Sequence, residues 1–337
     1  GINGQDGALL ADIAIKNGLD VIGIQRPLPK HRSEQIIFRL KELNIFDQIK
    51  FEVLDLADKN NTDYLFKNYS PTYFAHLASQ SSVLKSMKYK NLTKEENEAI
   101  SNNLIDSLMS KSMDTKMFFP SSATIFEGYK DKLVDEQTEP RPLTTYSKTK
   151  YSTQERIFEL IADKGLLGSV GIMFSHESEY RRSNFFSKII TEFLVDYKLK
   201  KRRKLVVGNI SLQRDIGYAK EYSEAIFKML LNNTRSKYIV SANRLSSLED
   251  FIINCLTLLD IKFEKISSKD SLFFVNKENG KIFLSSNKSN YREIDLYGIQ
   301  GNNSRIKKDI GWTPKLTLEQ ICSKMISYDL RKAEKSK

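Results

Sequence analysis

The chain has 337 residues, 40% of them apolar, and a formal net charge of +11. Two cysteines exclude a disulfide framework, and three histidines without metal-ligand spacing exclude a clustered metal site. No apolar run reaches the roughly 18 residues that cross a membrane, and no signal peptide is visible. We therefore expect a cytoplasmic protein whose positive charge suits an anionic partner, either a nucleic acid or a phosphorylated small molecule.

Predicted helices and strands alternate through the first half of the chain. In chain order they are helix "ALLADIAIKNG", strand "DVIGIQR", helix "FRLKELNIF", strand "IKFEVLDL", helix "NNTDYLFKNY", strand "TYFAHLAS", a helix over residues 95–113, strand "KMFFPSS", helix "YSKTKYSTQERIFELIADKG" and strand "LGSVGIMF". This alternation predicts an α/β protein with a Rossmann-like, doubly wound parallel sheet. We assign residues 1–174 to this cofactor-binding domain, with part of 205–245 returning to it, and mainly 175–337 to a smaller α/β substrate domain.

The chain opens with the glycine-rich stretch "GINGQDG", from Gly1 to Gly7. Such a turn at the start of a helix leaves backbone N–H groups free for a phosphate. The spacing alone is a weak signal, but the helix and strand that follow it strengthen the prediction of a dinucleotide site. We expect a strand ahead of Gly1, because that strand would be central in the sheet.

The second predicted strand ends at Arg26, and no acidic residue follows in "RPLP". An acid at this position binds the ribose 2′-hydroxyl of NAD, whereas an arginine favours the 2′-phosphate of NADP. Arg26 therefore predicts NADP as the cofactor. The alternative is a solvated arginine at a strand end.

Ser122, Tyr146 and Lys150 have the types and spacing of a hydride-transfer site. Tyr146 and Lys150 are four residues apart on a predicted helix and so share one face. A lysine ammonium lowers the pKa of a nearby phenol, which can then accept an alcohol proton as hydride leaves the carbon. Ser122, at the end of a strand, could hydrogen-bond the same oxygen.

The basic run "KLKKRRK" at residues 198–204 is the best candidate for binding a nucleic acid. It is short, has no interleaved aromatic residues and matches no nucleic-acid motif. We interpret it as a solvated helix end and expect no nucleic-acid partner.

Nearly the whole chain resembles the extended short-chain dehydrogenases/reductases, and within them the GDP-mannose 4,6-dehydratases. The resemblance rests on "GINGQDG", "LDLAD", "HLASQSSV", "SHES" with "RRSNFFSKI", "GNISLQRDIGYAKEYSEAI", "YREIDLYG" and "DIGWTPKLTLEQICSKM". It implies NADP as cofactor, a GDP-sugar as substrate and no membrane partner. We expect a homodimer built on paired helices, with a tetramer left open, for the reason given below.

The resemblance implies roles for individual residues. Cofactor contacts are expected from Gly1, Gly4, Gln5, Asp6, Gly7, Arg26, Asp55, Leu56, Leu77, Ala78, Ser79, Gln80, Ser81, Tyr146, Lys150, His176 and Arg181. Substrate contacts are expected from Ser122, Asn184, Lys188, Arg214 and Arg292, with the arginines suited to a diphosphate. For His176 a hydrogen-bonded core residue is the alternative, and for Lys188 a surface lysine.

Two departures from the family pattern bear on function. The family has a glutamate after its Thr/Ser-Ser, which takes the C5 proton during loss of water, but this chain has Thr124 there. Ser122-Ala123-Thr124 resembles UDP-galactose 4-epimerases instead, and Glu127 is the nearest carboxylate that could replace the missing base. The loop that helps build family tetramers is replaced by "RPLPKHRSEQ", so a dimer is the safer expectation.

Three functional hypotheses follow. The first is a 4,6-dehydratase, which removes hydride at C4, eliminates water and returns hydride at C6. The second is hydride chemistry without dehydration, as in a 4-epimerase, 4-keto reductase or 4-dehydrogenase. The third is a non-catalytic homologue that binds a nucleotide-sugar, against which the intact Ser122, Tyr146 and Lys150 argue.

Overall fold

The computed structural model describes residues 1–27, 37–78, 90–232, 235–291 and 297–335, with the backbone alone for 90–94. Its helices are α1 (Gln5–Lys16), α2 (Phe38–Glu42), α3 (Lys59–Tyr69), α4 (Lys90–Lys111), α5 (Thr145–Lys164), α6 (Phe186–Lys198), α7 (Ala219–Asn232), α8 (Leu248–Leu258), α9 (Ser304–Ile310) and α10 (Leu318–Lys335). Its strands are β1 (Val21–Gln25), β2 (Ile49–Val53), β3 (Tyr73–Ala75), β4 (Lys116–Ser122), β5 (Leu133–Val134), β6 (Gly168–Met173), β7 (Ser175–Glu177), β8 (Leu205–Val207), β9 (Gln213–Tyr218), β10 (Lys237–Val240), β11 (Leu245–Ser247), β12 (Phe263–Ser267), β13 (Ser271–Asn276), β14 (Ile282–Asn287) and β15 (Gln300–Gly301).

The main sheet is parallel. Strands pair in the order β10-β6-β4-β3, and β1 pairs with β2 beside them. Gly1 lies between the two groups: its nitrogen donates to the Ile24 carbonyl oxygen at 3.1 Å, and a Cβ on Gly1 would lie 2.4 Å from the carbonyl carbon of Leu77. The carboxyl ends of all these strands therefore meet at one edge, where ligands of such sheets bind.

Helices cover both faces of this sheet because neighbouring residues of a strand point to opposite sides. Phe118 of β4 packs with residues of α1 and α7, including Ile226. The next residue, Phe119, packs on the other side against Leu104 of α4 and Ile157 of α5. The predicted doubly wound α/β fold is confirmed. The division near residue 174 stays a prediction, although β10 does join this sheet.

The second half of the chain builds a smaller layer. β12, β13, β14 and β8 form a four-stranded sheet in that order, and β7, β9 and β11 form a separate ribbon. Helices α6, α8 and α10 pack on the four-stranded sheet around a second apolar core, whose fully buried members include Phe193, Phe251, Phe274, Phe283, Met325 and the free thiols Cys255 and Cys322. This core fixes the position of α6, whose first turns border the ligand edge of the main sheet.

None of the helices within the described ranges combines the length and apolar character needed to cross a bilayer. The altered loop after β1 falls largely on residues 28–36, which lie outside the described part of the chain. The dimer expected from that loop stays a prediction.

Candidate active site

A tight glycine turn precedes α1. Gly4 caps the helix with an extended backbone (φ −72°, ψ 167°), and the Gly4 nitrogen donates to the Gly1 carbonyl oxygen at 3.0 Å. A Cβ on Gly7 would lie 2.2 Å from that same oxygen, so only glycine fits there. Because the first N–H groups of a helix have no helical acceptor, this turn can bind an anion.

A cleft of about 1450 Å³ extends from the glycine turn along the carboxyl edge of the main sheet. This volume exceeds that of a typical single-ligand pocket, which is roughly 300–1,000 Å³. The predicted residues that line it are Gly1, Gly4, Gln5, Asp6, Gly7, Arg26, Asp55, Leu56, Leu77, Ala78, Ser122, Thr124, Tyr146, Lys150, His176, Arg181, Asn184, Lys188 and Arg214. Ser79, Gln80, Ser81 and Arg292 lie outside the described residues.

Ser122 and Thr124 lie where β4 turns into a short 3₁₀ segment, Ala123–Phe126. The Thr124 hydroxyl donates to Ser122 Oγ at 3.0 Å, and the Thr124 backbone nitrogen donates to the same oxygen at 3.3 Å. Ser122 Oγ thus accepts two hydrogen bonds, and its hydroxyl is also hydrogen-bonded to the Tyr146 phenol. A serine held in this way is suited to donate to a substrate oxygen.

Tyr146 and Lys150 share the inner face of α5. Burial raises the pKa of the Tyr146 phenol to about 12, although a hydrogen bond with Ser122 acts in the opposite direction. Lys150 donates from Nζ to the Pro120 carbonyl oxygen at 2.9 Å, and burial lowers the pKa of its ammonium to about 8. Lys150 Nζ lies 5.9 Å from the centroid of the Tyr146 ring.

The expected lowering of the tyrosine pKa by lysine is therefore wrong for this structure. Burial of the phenol dominates, because the low-dielectric surroundings disfavour tyrosinate. The Lys150 ammonium is meanwhile directed to the Pro120 carbonyl. A phenol in this position becomes a proton acceptor only when further positive charge comes close to it.

Glu127 is buried and fully engaged at the start of α5. Its carboxylate accepts hydrogen bonds from the backbone nitrogens of Leu143 (3.1 Å) and Thr144 (2.9 Å). It also accepts from the hydroxyls of Thr144 (3.0 Å) and Ser147 (2.7 Å). A swing toward the substrate would break all four bonds, so the geometry disfavours Glu127 as the replacement base.

His176 joins the glycine turn to β7. Its Nε2 lies 3.2 Å from Asp6 Oδ1, and its Nδ1 lies 2.6 Å from the Phe174 carbonyl oxygen. Burial alone would raise the pKa of Asp6, but the charge and hydrogen bond of His176 outweigh it and lower that pKa to about 2. Conversely, burial acts to lower the pKa of His176, and Asp6 outweighs it, so that pKa is raised. His176 is thus both hydrogen-bonded and part of the cleft wall.

Lys188 is buried at the substrate side of the cleft. It forms an ion pair with Asp329 of α10 and donates to the Glu179 carbonyl oxygen at 3.2 Å. The alternative interpretation as a surface lysine is wrong, because tertiary packing of α10 covers the side chain. Asn184 is exposed at the rim, and Arg214 is half-buried in the wall.

Sequence reasoning missed several residues of the cleft wall. Arg39 of α2, Arg182, and Tyr328 and Lys332 of α10 all line it. The adjacent arginines of "YRRS" were a usable signal for Arg182, because Arg181 was already predicted. No comparable signal marks Arg39 or α10. Within the described ranges, no group of three or more His, Cys, Asp or Glu side chains is arranged to hold a metal ion.

A doubly wound sheet with a glycine turn and a Tyr-x-x-x-Lys pair at its ligand edge is the arrangement of the extended short-chain dehydrogenases/reductases. The sequence model of the family described as GDP-mannose 4,6 dehydratase matches residues 1–325. The chain therefore belongs to the GDP-mannose 4,6-dehydratase family, as a divergent member.

Curated relatives are about one quarter identical to the chain. The GDP-mannose 4,6-dehydratase sdnI of Sordaria araneosa is 26% identical over all of this chain, which spans 61% of that protein's length. The GDP-mannose 4,6 dehydratase 2 of Caenorhabditis elegans is 25% identical over 98% of this chain and 87% of its own. The human GDP-mannose 4,6 dehydratase is 23% identical over 98% of this chain and 90% of its own.

Solved structures share the fold at lower identity. The UDP-glucose 4-epimerase of Thermotoga maritima, with UDP-glucose, superposes with a TM-score of 0.78 at 18% identity, over 99% of this chain and 98% of that one. The dTDP-glucose 4,6-dehydratase of Bacillus anthracis, with NAD, gives 0.78 at 15% identity, over 99% and 96%. RMD of Pseudomonas aeruginosa, with NADPH, gives 0.70 at 16% identity, over 84% and 91%.

Proposed function

We propose that the protein is an NADP-dependent enzyme that transfers hydride at C4 of a GDP-linked sugar, without efficient dehydration. The observation that carries the proposal is the convergence of Ser122, Tyr146 and Lys150 on one cleft with the glycine turn. These side chains match the needs of alcohol oxidation, in which a proton leaves the oxygen as hydride leaves the carbon.

A nicotinamide dinucleotide fits the residues present. Gly7 is required by its 2.2 Å approach to the Gly1 carbonyl, and the turn it shapes leaves the N–H groups of α1 for a pyrophosphate. Arg26, at the carboxyl end of β1 in the same cleft, supports NADP over NAD. When bound, the nicotinamide ring supplies the hydride acceptor at one stage and the donor at another.

The protein's own groups handle the proton. Tyr146 accepts the proton of the C4 hydroxyl, so that the carbon–oxygen bond becomes a ketone as hydride departs. Ser122 donates its hydroxyl hydrogen to the same oxygen. Formation of the tyrosinate is costly in this buried site, because the phenol pKa is about 12, and it requires further positive charge close to the phenol.

Dehydration needs a further base for the C5 proton, and its family position holds Thr124. Thr124 donates to Ser122, and Glu127 is engaged by four hydrogen bonds at α5. This geometry favours a 4-epimerase, 4-keto reductase or 4-dehydrogenase. A 4,6-dehydratase is the second candidate, and membership of that family over residues 1–325 supports it.

The proposed substrate side is formed by Asn184, Lys188 and Arg214, in the wall beyond the catalytic residues. We propose Arg214 as the ligand for the diphosphate, because a planar guanidinium binds phosphate oxygens in pairs, while Lys188 is held by Asp329. We further propose that the protein acts as a cytoplasmic homodimer. The presence of Ser122, Tyr146 and Lys150 in the wall of one cleft argues against a binding-only homologue.

The test is to incubate the purified protein with NADP⁺ and GDP-mannose and to follow the sugar by mass spectrometry. Oxidation at C4 lowers the mass by two hydrogens, dehydration lowers it by one water, and epimerisation leaves it unchanged but alters chromatographic mobility. We expect the first or third outcome, and Tyr146→Phe as the control should give neither. Rapid formation of the 4-keto-6-deoxy sugar would establish the second candidate instead, and no change with any GDP-sugar would refute both.

A further inference from the structure

Four arginines line the end of the cleft next to the carboxyl end of β1. Arg26 directly follows β1, and Arg39 belongs to α2. Arg181 and Arg182 belong to the segment between β7 and α6, on the substrate side. Two separate parts of the chain thus contribute positive charge to one region of the wall.

The four guanidinium groups differ in their partners. Arg181 pairs with Glu177 at 3.2 Å, and Arg26 makes a looser contact with Glu96 at 3.4 Å. Arg39 is held between two carbonyl oxygens. Arg182 is exposed at the mouth of the cleft and has no hydrogen-bond or ion-pair partner among the described residues. Its guanidinium is therefore available to a ligand.

Arg39 connects these two parts of the chain by hydrogen bonds. Its Nε donates to the Tyr180 carbonyl oxygen at 2.6 Å, and its Nη1 donates to the Asn3 carbonyl oxygen at 3.0 Å. The Asn3 side chain in turn donates to the side chain of Gln25 at 3.0 Å. A continuous set of contacts therefore links the residue before Arg26 to the residue two positions before Arg182.

Electrostatics agree with this proximity. Partial desolvation, followed by the charges of Arg26 and Arg181, lowers the pKa of Arg182. Burial is the main cause of the lowered pKa of Arg39, and the charge of Arg182 adds to it. Like charges at such range repel one another. A multiply charged anion that is bound between them would remove this repulsion.

The acidic side chains of the wall do not cancel this charge. Glu177 is engaged by Arg181, and Glu179 accepts from the Tyr218 hydroxyl at 3.1 Å. The charge of Glu42 acts on Tyr180 and Tyr328, where it helps to raise the pKa of each phenol. No described carboxylate forms an ion pair with Arg182, so its charge remains available to an anionic ligand.

We propose that Arg182 and Arg26 form a two-arginine clamp for the 2′-phosphate of NADP, with Arg39 as the positioning residue that holds the Tyr180 backbone. The inference rests on the proposed function and names the residue that sets its cofactor selectivity. Arginine suits this role because its planar guanidinium binds phosphate oxygens in pairs. The clamp would hold the cofactor between the edge of the main sheet and the segment that joins β7 to α6.

The experiment measures binding alone, by isothermal titration calorimetry. The ligand pairs are NADPH with NADH, and adenosine 2′,5′-bisphosphate with AMP; each pair differs by the 2′-phosphate. The proteins are the wild type, Arg182→Ala, Arg26→Ala, the double variant and Arg203→Ala. Arg203→Ala is the matched control because it removes the same charge from an exposed arginine in the basic run, away from the cleft.

We expect Arg182→Ala to weaken NADPH and adenosine 2′,5′-bisphosphate by about 10- to 100-fold, the scale of a charge-assisted hydrogen bond. NADH and AMP should change by less than about threefold, and Arg203→Ala should change nothing beyond that. Arg182→Lys should recover part of the loss, since it restores the charge without the paired geometry. Arg26→Ala should show the same selectivity pattern.

Failure of the NADP assignment and failure of the clamp alone would give different results. If the wild type binds NADPH no more tightly than NADH, the NADP assignment of the proposed function fails, and the clamp fails with it. If the wild type prefers NADPH and Arg182→Ala keeps the full preference, the clamp alone is refuted. Equal losses for NADPH and NADH would also refute it, because they would indicate a disturbed fold or pyrophosphate site instead of phosphate recognition.

Discussion

Glu127→Gln tests most directly whether Glu127 replaces the missing base that removes the C5 proton during loss of water. If Glu127 were the replacement base, this change would remove dehydration and leave stability almost intact. The geometry leads to the opposite expectation. Its carboxylate fastens residues 143, 144 and 147 at the entry to α5, the helix that carries Tyr146 and Lys150. We therefore expect a loss of stability.

The magnitude follows from the four contacts. A hydrogen bond to a charged group contributes about 1.5–3 kcal/mol and a neutral one about 0.5–1.5 kcal/mol, so each bond that becomes neutral loses about 1 kcal/mol. Glutamine keeps one oxygen for the three donors that meet Oε2, and its amide must face the Thr144 hydroxyl. The lower desolvation cost of a neutral group offsets part of the loss. We expect a decrease of about 2–3 kcal/mol in the free energy of unfolding.

Urea denaturation of the wild type and Glu127→Gln, with circular dichroism as the readout, measures this difference directly. An unchanged m-value would show that the same surface is exposed on unfolding. Glu139→Gln is the matched control: Glu139 is an exposed glutamate whose side chain makes no hydrogen bond or ion pair among the described residues. It should stay within about 0.5 kcal/mol of the wild type. A loss below about 1 kcal/mol for Glu127→Gln would refute the structural role.

Three further outcomes are expected. Tyr146→Phe should lower turnover by about 10²–10⁴-fold while GDP-sugar affinity, measured by calorimetry, stays within a few-fold; full activity would contradict the catalytic assignment. Thr124→Glu should raise the yield of 4-keto-6-deoxy sugar above that of the matched Thr124→Gln, and equal yields would show that the missing base is not the limit. Asp215 lies in β9, and burial raises the pKa of its carboxyl to about 7. Below about pH 4 this carboxyl is protonated in both the folded and the unfolded chain, and the free energy of unfolding then decreases as the pH rises to about 7. Asp215→Asn should remove a decrease of about 2–3 kcal/mol between pH 5 and pH 8 in urea unfolding, and parallel pH profiles of the two proteins would contradict this.

Local patterns predicted the parts of the site that depend on a few adjacent residues. The glycine turn is one such part, since its function comes from backbone geometry over Gly1 to Gly7. The Tyr146 and Lys150 pair is another, because a spacing of four on a helix places both on one face. The alternation of strands and helices likewise determined the sheet and its ligand edge.

Contacts between distant segments could not be predicted in this way. Glu127 looked like a free carboxylate in sequence, but it meets α5 only after the chain has turned back over 16 to 20 residues. Arg39 reaches the Tyr180 carbonyl across 141 positions. The pKa of Tyr146 depends on how deeply packing buries it, and no motif encodes that depth. The sequence identified the chemical type of each of these side chains, whereas its burial and its partners depend on the tertiary fold.

The ion pair between Lys188 and Asp329 constrains how these two positions can vary during evolution. Lys188 belongs to α6 and Asp329 to α10, so the two members of this buried pair lie 141 positions apart in the chain. Removing one member of a buried pair costs about 3–5 kcal/mol, because the other charge is left unmatched. The two positions should therefore change together among descendants of this gene. A lineage that replaces Lys188 by a neutral residue should carry a neutral residue at 329 as well.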